Sequence, residues 1–293
     1  MRTLLLLVGL GTLMSACSDD AATDSQGGNG GSTSLNGAGD TGGTTASSNG
    51  GNEATGGSAS TSSNMGGGQP TGCASYLFCE DFETGAPGEM PTGWTEHGGW
   101  DQSGSRAVLS TEEKHGGAQS LKSAVGTNGQ FRVEHALESS LASHHWGRIF
   151  YKVKTPVAFD GQYIHNTFVA FGRPESANGS ESRVVDTVMS PEGTHQFLFN
   201  VPDDSCCAGS SYDFAYDATW HCAEWYVDGA TQSFQFFYDG SEVGDIAFMG
   251  ETGAHIADFS SIIVGWINYQ SPSTPNEGWF DDLALDDERI GCN

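Results

Sequence analysis

From Tyr76 to the C-terminus the sequence breaks into short runs in which Val, Ile, Phe, Tyr and Trp alternate with polar residues, with Gly, Asp or Asn at the breaks. A period of two with turn residues between runs is the pattern of β-strands with one buried face. It predicts strands over Leu77–Glu83, Ala107–Thr111, Ser120–Val125, Phe131–Leu137, Arg148–Val153 and His165–Phe171. Further strands are predicted over Arg183–Met189, Gln196–Val201, Trp220–Val227, Ser233–Tyr238, Ser261–Ile267 and Gly278–Leu285. Asp228-Gly229 and Asp239-Gly240 have the residues of tight hairpin turns. Only Glu138–His144 reads as helix. So many strands without helical spacers predict an all-β domain, a jelly-roll sandwich of two antiparallel sheets.

The pattern stops abruptly upstream. Ser18 to Gly72 is built from Gly, Ser, Thr, Ala and Asn, with no aromatic residue. Such a segment buries too little surface to offset its ordering entropy, so 17–72 is expected to be a disordered linker ahead of a domain over 73–293. The first residues have a different grammar: Arg2, an apolar run from Leu4 to Leu13, then Ser15-Ala16-Cys17. The run is too short to span a bilayer and reads as an export signal. A cysteine directly after the small residues is similar to bacterial lipoprotein signals. In that reading 1–16 is removed, Cys17 is lipidated, and the protein is held on a lipid bilayer. Ser18 lacks the Asp associated with inner-membrane retention, which points to the outer membrane or cell surface. An ordinary secretory signal is the alternative.

Charge and cysteines narrow the partners. The net charge is −26, which counts against nucleic acid and anionic membrane surfaces. Of seven cysteines, lipidation would take one and leave an even set, read as disulfides in an oxidising compartment with the pairing open. A zinc site lacks the usual spacing.

The landmarks Cys79-Glu80-Asp81-Phe82-Glu83, His115-Gly116-Gly117, Trp220-His221-Cys222, Gly265-Trp266, Trp279-Phe280-Asp281-Asp282 and Arg289-Ile290-Gly291-Cys292 come in an order that resembles the bacterial relatives of the fungal cellulose-induced protein family. These are polysaccharide-lyase-like jelly rolls of the concanavalin-A-like superfamily, including glucuronan and alginate lyases. The resemblance covers nearly all of 73–293. It implies a jelly roll with a sugar-sized groove for a polysaccharide partner and a structural Ca2+; a monomer is expected. Calcium needs hard oxygens, and Asp81 and Glu83 with Asp281 or Asp282 and carbonyls near Gly117 are candidates if first and last strands are neighbours. Solvated strand-end acids are the plainer reading.

A lyase acting on a uronate polymer neutralises the carboxylate, removes the adjacent C5 proton and protonates the leaving oxygen. The alginate-lyase relatives use Arg-x-Glu, Gln-x-His and Tyr-x-Gln strands. This chain has Arg132-Val133-Glu134, Gln162-Tyr163-Ile164-His165 and Asn268-Tyr269-Gln270. Arg132, His165, Tyr269 and Gln270 are therefore the catalytic candidates. The departures matter, because regular pleating puts Gln162 and His165 on opposite faces. It likewise groups Trp266, Asn268 and Gln270 on one face, a polar face with one Trp suited to a sugar, and sends Tyr269 to the other. Trp266, Asn268, Gln162, Arg183 and Asn200 complete the substrate-binding candidates. Each has a structural alternative: a hydrogen-bonded core histidine, a surface Arg132–Glu134 pair, a turn asparagine. The paired carboxylates of jelly-roll glucanases are missing, which makes glycoside hydrolysis the weaker reading. A uronate lyase and a non-catalytic carbohydrate-binding or adhesion module both remain.

Overall fold

The structure is a computed structural model describing residues 73–98, 106–126, 129–157, 161–173, 181–201, 207–251, 256, 258–270 and 275–292. The leader, Cys17 and the linker lie outside the described residues, as does Cys206. The strands are β1 (Phe78–Glu80), β2 (Thr95–His97), β3 (Val108–Ser110), β4 (Ser120–Val125), β5 (Gly129–Ala136), β6 (His144–Val153), β7 (Ile164–Gly172) and β8 (Glu181–Met189). They continue with β9 (His195–Asn200), β10 (Cys207–Gly209), β11 (Trp220–Asp228), β12 (Ser233–Tyr238), β13 (Ser241–Glu242), β14 (Phe248–Met249), β15 (Ser261–Asn268) and β16 (Asn276–Asp286).

They form two antiparallel sheets. One has nine strands in the order β13-β12-β11-β6-β16-β4-β3, with β1 added on β16 and β14 on β12. The other has seven, in the order β10-β9-β8-β7-β15-β5-β2. The first strand does pair with the last, Cys79 opposite Ala284. Every predicted run lies on a strand. The unpredicted β2, β10, β13 and β14 are three residues or fewer, too short for a period to declare itself.

Two boundaries differ for physical reasons. β1 stops at Glu80 because Phe82 turns left-handed, at φ 52°, and drops into the core. Glu138–His144 is not a helix: Leu141 and Ala142 donate to the Glu138 and Ser139 carbonyls in single turns, and His144 already pairs with Asp228. One turn cannot repay helix nucleation, and cross-strand pairing takes the segment. Asp239 and Gly240, at φ 49° and 80°, make the expected two-residue hairpin turn between β12 and β13.

Between the sheets lies an aromatic core. Trp225, Trp266, Phe168, Phe171, Phe199, Phe234, Phe236 and Phe280 are all withdrawn from water, and rings pair edge-on, as Phe168 does with Trp266 at 4.7 Å. Two disulfides, Cys73–Cys79 and Cys222–Cys292, close the chain ends of the sandwich. They fit a protein exported from the cytoplasm.

Candidate functional site on the seven-stranded sheet

The face of this sheet turned away from the core carries a continuous polar network. On β5, Phe131 and Val133 enter the core, so Gln130, Arg132 and Glu134 face outward. On β15, Val264 and Trp266 point in and Gly265 lies opposite Arg132. On β8 and β7, irregular pairing between Arg183 and Asp186, and between Thr167 and Ala170, re-phases the pleat. As a result Arg183, Asp186, His165 and Thr167 reach the same face, although Arg183 and Asp186 are three residues apart.

Glu181 is the hub. Its Oε2 accepts from Arg132 Nη1 at 2.8 Å, and its Oε1 accepts from Arg183 Nε at 3.1 Å and from the Tyr269 hydroxyl at 3.3 Å. Arg132 reaches it from β5 across both β15 and β7. The crossing is open because Gly265 lies under the Arg132 stem, where a Cβ would meet Arg132 Cγ at 3.3 Å. Ala170, opposite Arg183, is the next small residue on this face. Arg132 also donates from Nε to Gln130 Oε1 at 2.7 Å. The Arg183 guanidinium stacks 4.2 Å from the Tyr269 ring centroid.

A second group adjoins the first. Asp186, fully buried, accepts from His165 Nε2 at 2.8 Å and from Thr167 Oγ1 at 2.6 Å. Thr167 Oγ1 is 3.2 Å from the Tyr269 hydroxyl, and the His165 and Tyr269 rings lie 4.6 Å apart. An ionised Asp186 only accepts, so Nε2 is the donor, and in the neutral imidazole this tautomer has its lone pair on Nδ1. Gln270 Oε1 takes the His165 amide at 2.5 Å, which fastens the end of β15 to β7.

The electrostatics follow. Burial pushes the Glu181 carboxyl up, but the two guanidinium groups outweigh it and hold it below the ordinary glutamate value. Burial, then the Glu181 charge, pushes the Tyr269 hydroxyl above the ordinary phenol value, so it is a proton donor at neutral pH.

Of the predicted residues, Arg132, Arg183, His165, Tyr269 and Gln270 are brought together here, and Asn200 stands opposite Arg183 on β9. Gln162 is exposed ahead of β7, outside the network. For Trp266 and Asn268 the expectation is corrected. Both are fully buried between the sheets: Trp266 Nε1 donates to Asn268 Oδ1 at 2.8 Å, and Asn166 and Asn276 donate to the same oxygen. The alternation holds, but its two faces are exchanged, which places Tyr269 on the site. Glu134 does not pair with Arg132; it accepts from His97 Nδ1 at 2.7 Å and from Ser261 Oγ.

The calcium candidates lie on the other sheet, around the loop from His115 to Gln119. Glu83 Oε1 accepts from Ala118 N at 2.7 Å and Gln119 N at 3.0 Å, and Asp282 Oδ2 accepts from His115 Nδ1 at 2.6 Å. Gly116 and Gly117 make a cradle that a Cβ would fill: at Gly116 it would lie 3.0 Å from Asp282 Oδ2, and at Gly117 it would strike Glu83. Beneath them Asp281 is buried, its pKa raised to about 7 by burial and then by the Asp282 charge. Asp81 is not part of this cradle; its Oδ1 takes the Glu83 amide at 3.2 Å. Among the described residues no three His, Cys, Asp or Glu side chains converge as a cage. Glu83, Asp281 and Asp282 are hard oxygen donors of the type a calcium ion takes, with Glu83 Oε1 and Asp282 Oδ2 accepting from the loop N–H groups.

No protein-family model matches this chain, and no curated protein matches it. Solved structures do. The cellulose-induced protein Cip1 is 17% identical, matched over 74% of this chain and 100% of that one, with a TM-score of 0.54. The two share a fold. Less similar are a structure from work on O-glycanases of the human gut microbiota (13% identity, 75% and 100% covered, TM-score 0.49) and an uncharacterized protein from Mycobacterium paratuberculosis (13%, 72% and 100%, TM-score 0.47).

Within that shared fold, Glu181, Asp186 and Thr167 are residues that sequence reasoning missed. Glu181-Ser182-Arg183 alternates in the sequence and hints at one polar face. Nothing comparable marks Asp186, whose placement depends on the bulge.

Proposed function

We propose that the outer face of the seven-stranded sheet binds a uronate-containing polysaccharide and cleaves it by β-elimination. The observation that carries this is the convergence of His165 on Asp186 with Tyr269 and Arg183 beside them. Arg183, whose Nη groups have no partner among the described residues, receives the uronate carboxylate and acidifies the C5 proton. His165 Nδ1 removes that proton, and Asp186 stabilises the imidazolium. As the C4–O4 bond breaks and C4=C5 forms, the Tyr269 hydroxyl protonates O4; solvent then restores both groups. Arg132 and Glu181 hold Arg183 and Tyr269 in place. Incubating the protein with glucuronan and alginate should raise the ultraviolet absorbance of the unsaturated product, with His165→Ala abolishing the rise. Binding without any rise in absorbance would discard elimination on those polymers.

A non-catalytic glycan-binding module is the second reading. It is favoured by the heavy engagement of Tyr269 with Thr167 and Glu181, and by the chain's charge of −26, which opposes a polyanion. In both readings Cys17 is a lipid anchor and Glu83 and Asp282 hold a structural Ca2+. Calcium should raise the melting temperature over chelator-treated protein, and Glu83→Ala should remove that increment.

A further inference from the structure

The opposite face of the molecule, on the nine-stranded sheet, has a hollow of about 650 Å3, within the size of small-ligand sites. Its wall includes a cross-strand row in register, Trp146 on β6, Tyr226 on β11 and Gln235 on β12, which Asp286 on β16 continues just outside the hollow. The Trp146 and Tyr226 rings lie 4.9 Å apart at 37°, a shallow V open at half-exposed positions. His144 stands edge-on to Tyr226 at 5.5 Å, and Met249, 82% exposed, forms the rim. The Gln235 amide makes no hydrogen bond among the described residues.

The charge around this row is negative. Asp286 is in the row, Asp287 lines the hollow, and Asp228 Oδ2 accepts from the Tyr226 hydroxyl at 3.3 Å. The nearby Arg289 is bound to the buried Glu224 at 2.8 Å, with its guanidinium over Phe237 at 3.9 Å and 5.4 Å from the Trp146 ring centroid, which leaves the Tyr226 side of the row to the carboxylates. Aromatic faces ringed by carboxylates and an amide attract a flat ligand with apolar C–H faces and a positive charge.

We propose that this hollow is a second glycan site, taking a cationic amino-sugar residue. Its pyranose face stacks on Trp146 and Tyr226, its ammonium meets Asp286 and Asp287, and Gln235 binds a ring hydroxyl. The site is separate from the one around Glu181 and would bind without it.

Calorimetric titration of the full chain with a glucosamine hexamer, cellohexaose and an oligoglucuronate tests this. The glucosamine hexamer should bind best, and its affinity should fall with added salt. Trp146→Ala and Tyr226→Ser should each weaken it about tenfold, the worth of one aromatic stacking contact. Asp287→Asn, an exposed change that leaves the core untouched, should weaken it severalfold, while Arg183→Ala should leave it unchanged. Equal binding of cellohexaose, no binding of the hexamer, or loss of binding in Arg183→Ala alone would overturn the proposal.

Discussion

Gly265 shows how a single missing side chain sets the geometry of the site. Its φ of 133° lies where only glycine is at ease, and a Cβ there would run into the Phe131 carbonyl and the Arg132 side chain. Arg132 lies over it on the way to Glu181, so the length of its reach depends on the absence of bulk. Gly265→Ala should destabilise the domain by about 2–4 kcal/mol, from left-handed strain and overpacking together, measurable as a lower urea midpoint. It should also free Glu181 of one guanidinium and weaken any ligand held by Arg183. An unchanged midpoint would mean that β15 can shift to accept the methyl.

The elements themselves were largely legible, because half-buried strands declare a period of two. Ser120–Val125 and Ser233–Tyr238 were predicted to the residue. What the period cannot say is which face is inside when both contain large side chains. On β15 Trp266 and Asn268 alternate with Ile267 and Tyr269, and a buried asparagine accepting three side-chain donors looks, in sequence, like a surface one. Bulges hide in the same way: the step from Arg183 to Asp186 changes phase without a glycine or proline to mark it. At this scale the C-terminal tail yields a prediction. Cys222–Cys292 closes a loop of separation 70 and holds the tail where Arg289 and Gly291 donate to Glu224. Replacing both cysteines by serine should cost about 4 kcal/mol by loop entropy, read as a lower denaturant midpoint with the sheets intact by circular dichroism.

For the whole molecule, two core histidines set the response to acid. His145 is fully buried, donating from Nδ1 to the Leu141 carbonyl and accepting from Trp225 Nε1 at Nε2. His195 is buried against Phe214 and Tyr216, with neither ring nitrogen bonded among the described residues. Burial lowers both pKa values from 6.5 to about 4. Each group is neutral when folded but takes a proton when unfolded below its ordinary pKa. Their stability contribution is therefore complete above pH 6.5 and is lost as pH falls towards 4, by about 1.4 kcal/mol per pH unit for each. Asp281, raised to about 7, takes up its proton first in the folded state and offsets about one histidine over this range. Unfolding free energies measured between pH 7 and 4.5 should therefore fall with the remaining slope, and His195→Phe should reduce that slope by about 1.4 kcal/mol per pH unit. A slope left unchanged by His195→Phe would contradict the neutral state of that ring.

The pairing of β1 with β16 also sets a path for mechanical force. Tension arriving from the N-terminal side enters at Cys73 and crosses the Cys73–Cys79 bond directly into the middle of β1. The short helical turn between the two cysteines is bypassed. The pull falls on three rungs, Phe78 opposite Leu285, Cys79 opposite Ala284 and Glu80 opposite Leu283, on β16, an interior strand of the larger sheet between β6 and β4. Tension from that side would thus reach β16 through the short strand β1, which pairs with β16 alone, and not through β13 or β3 at the ends of the row.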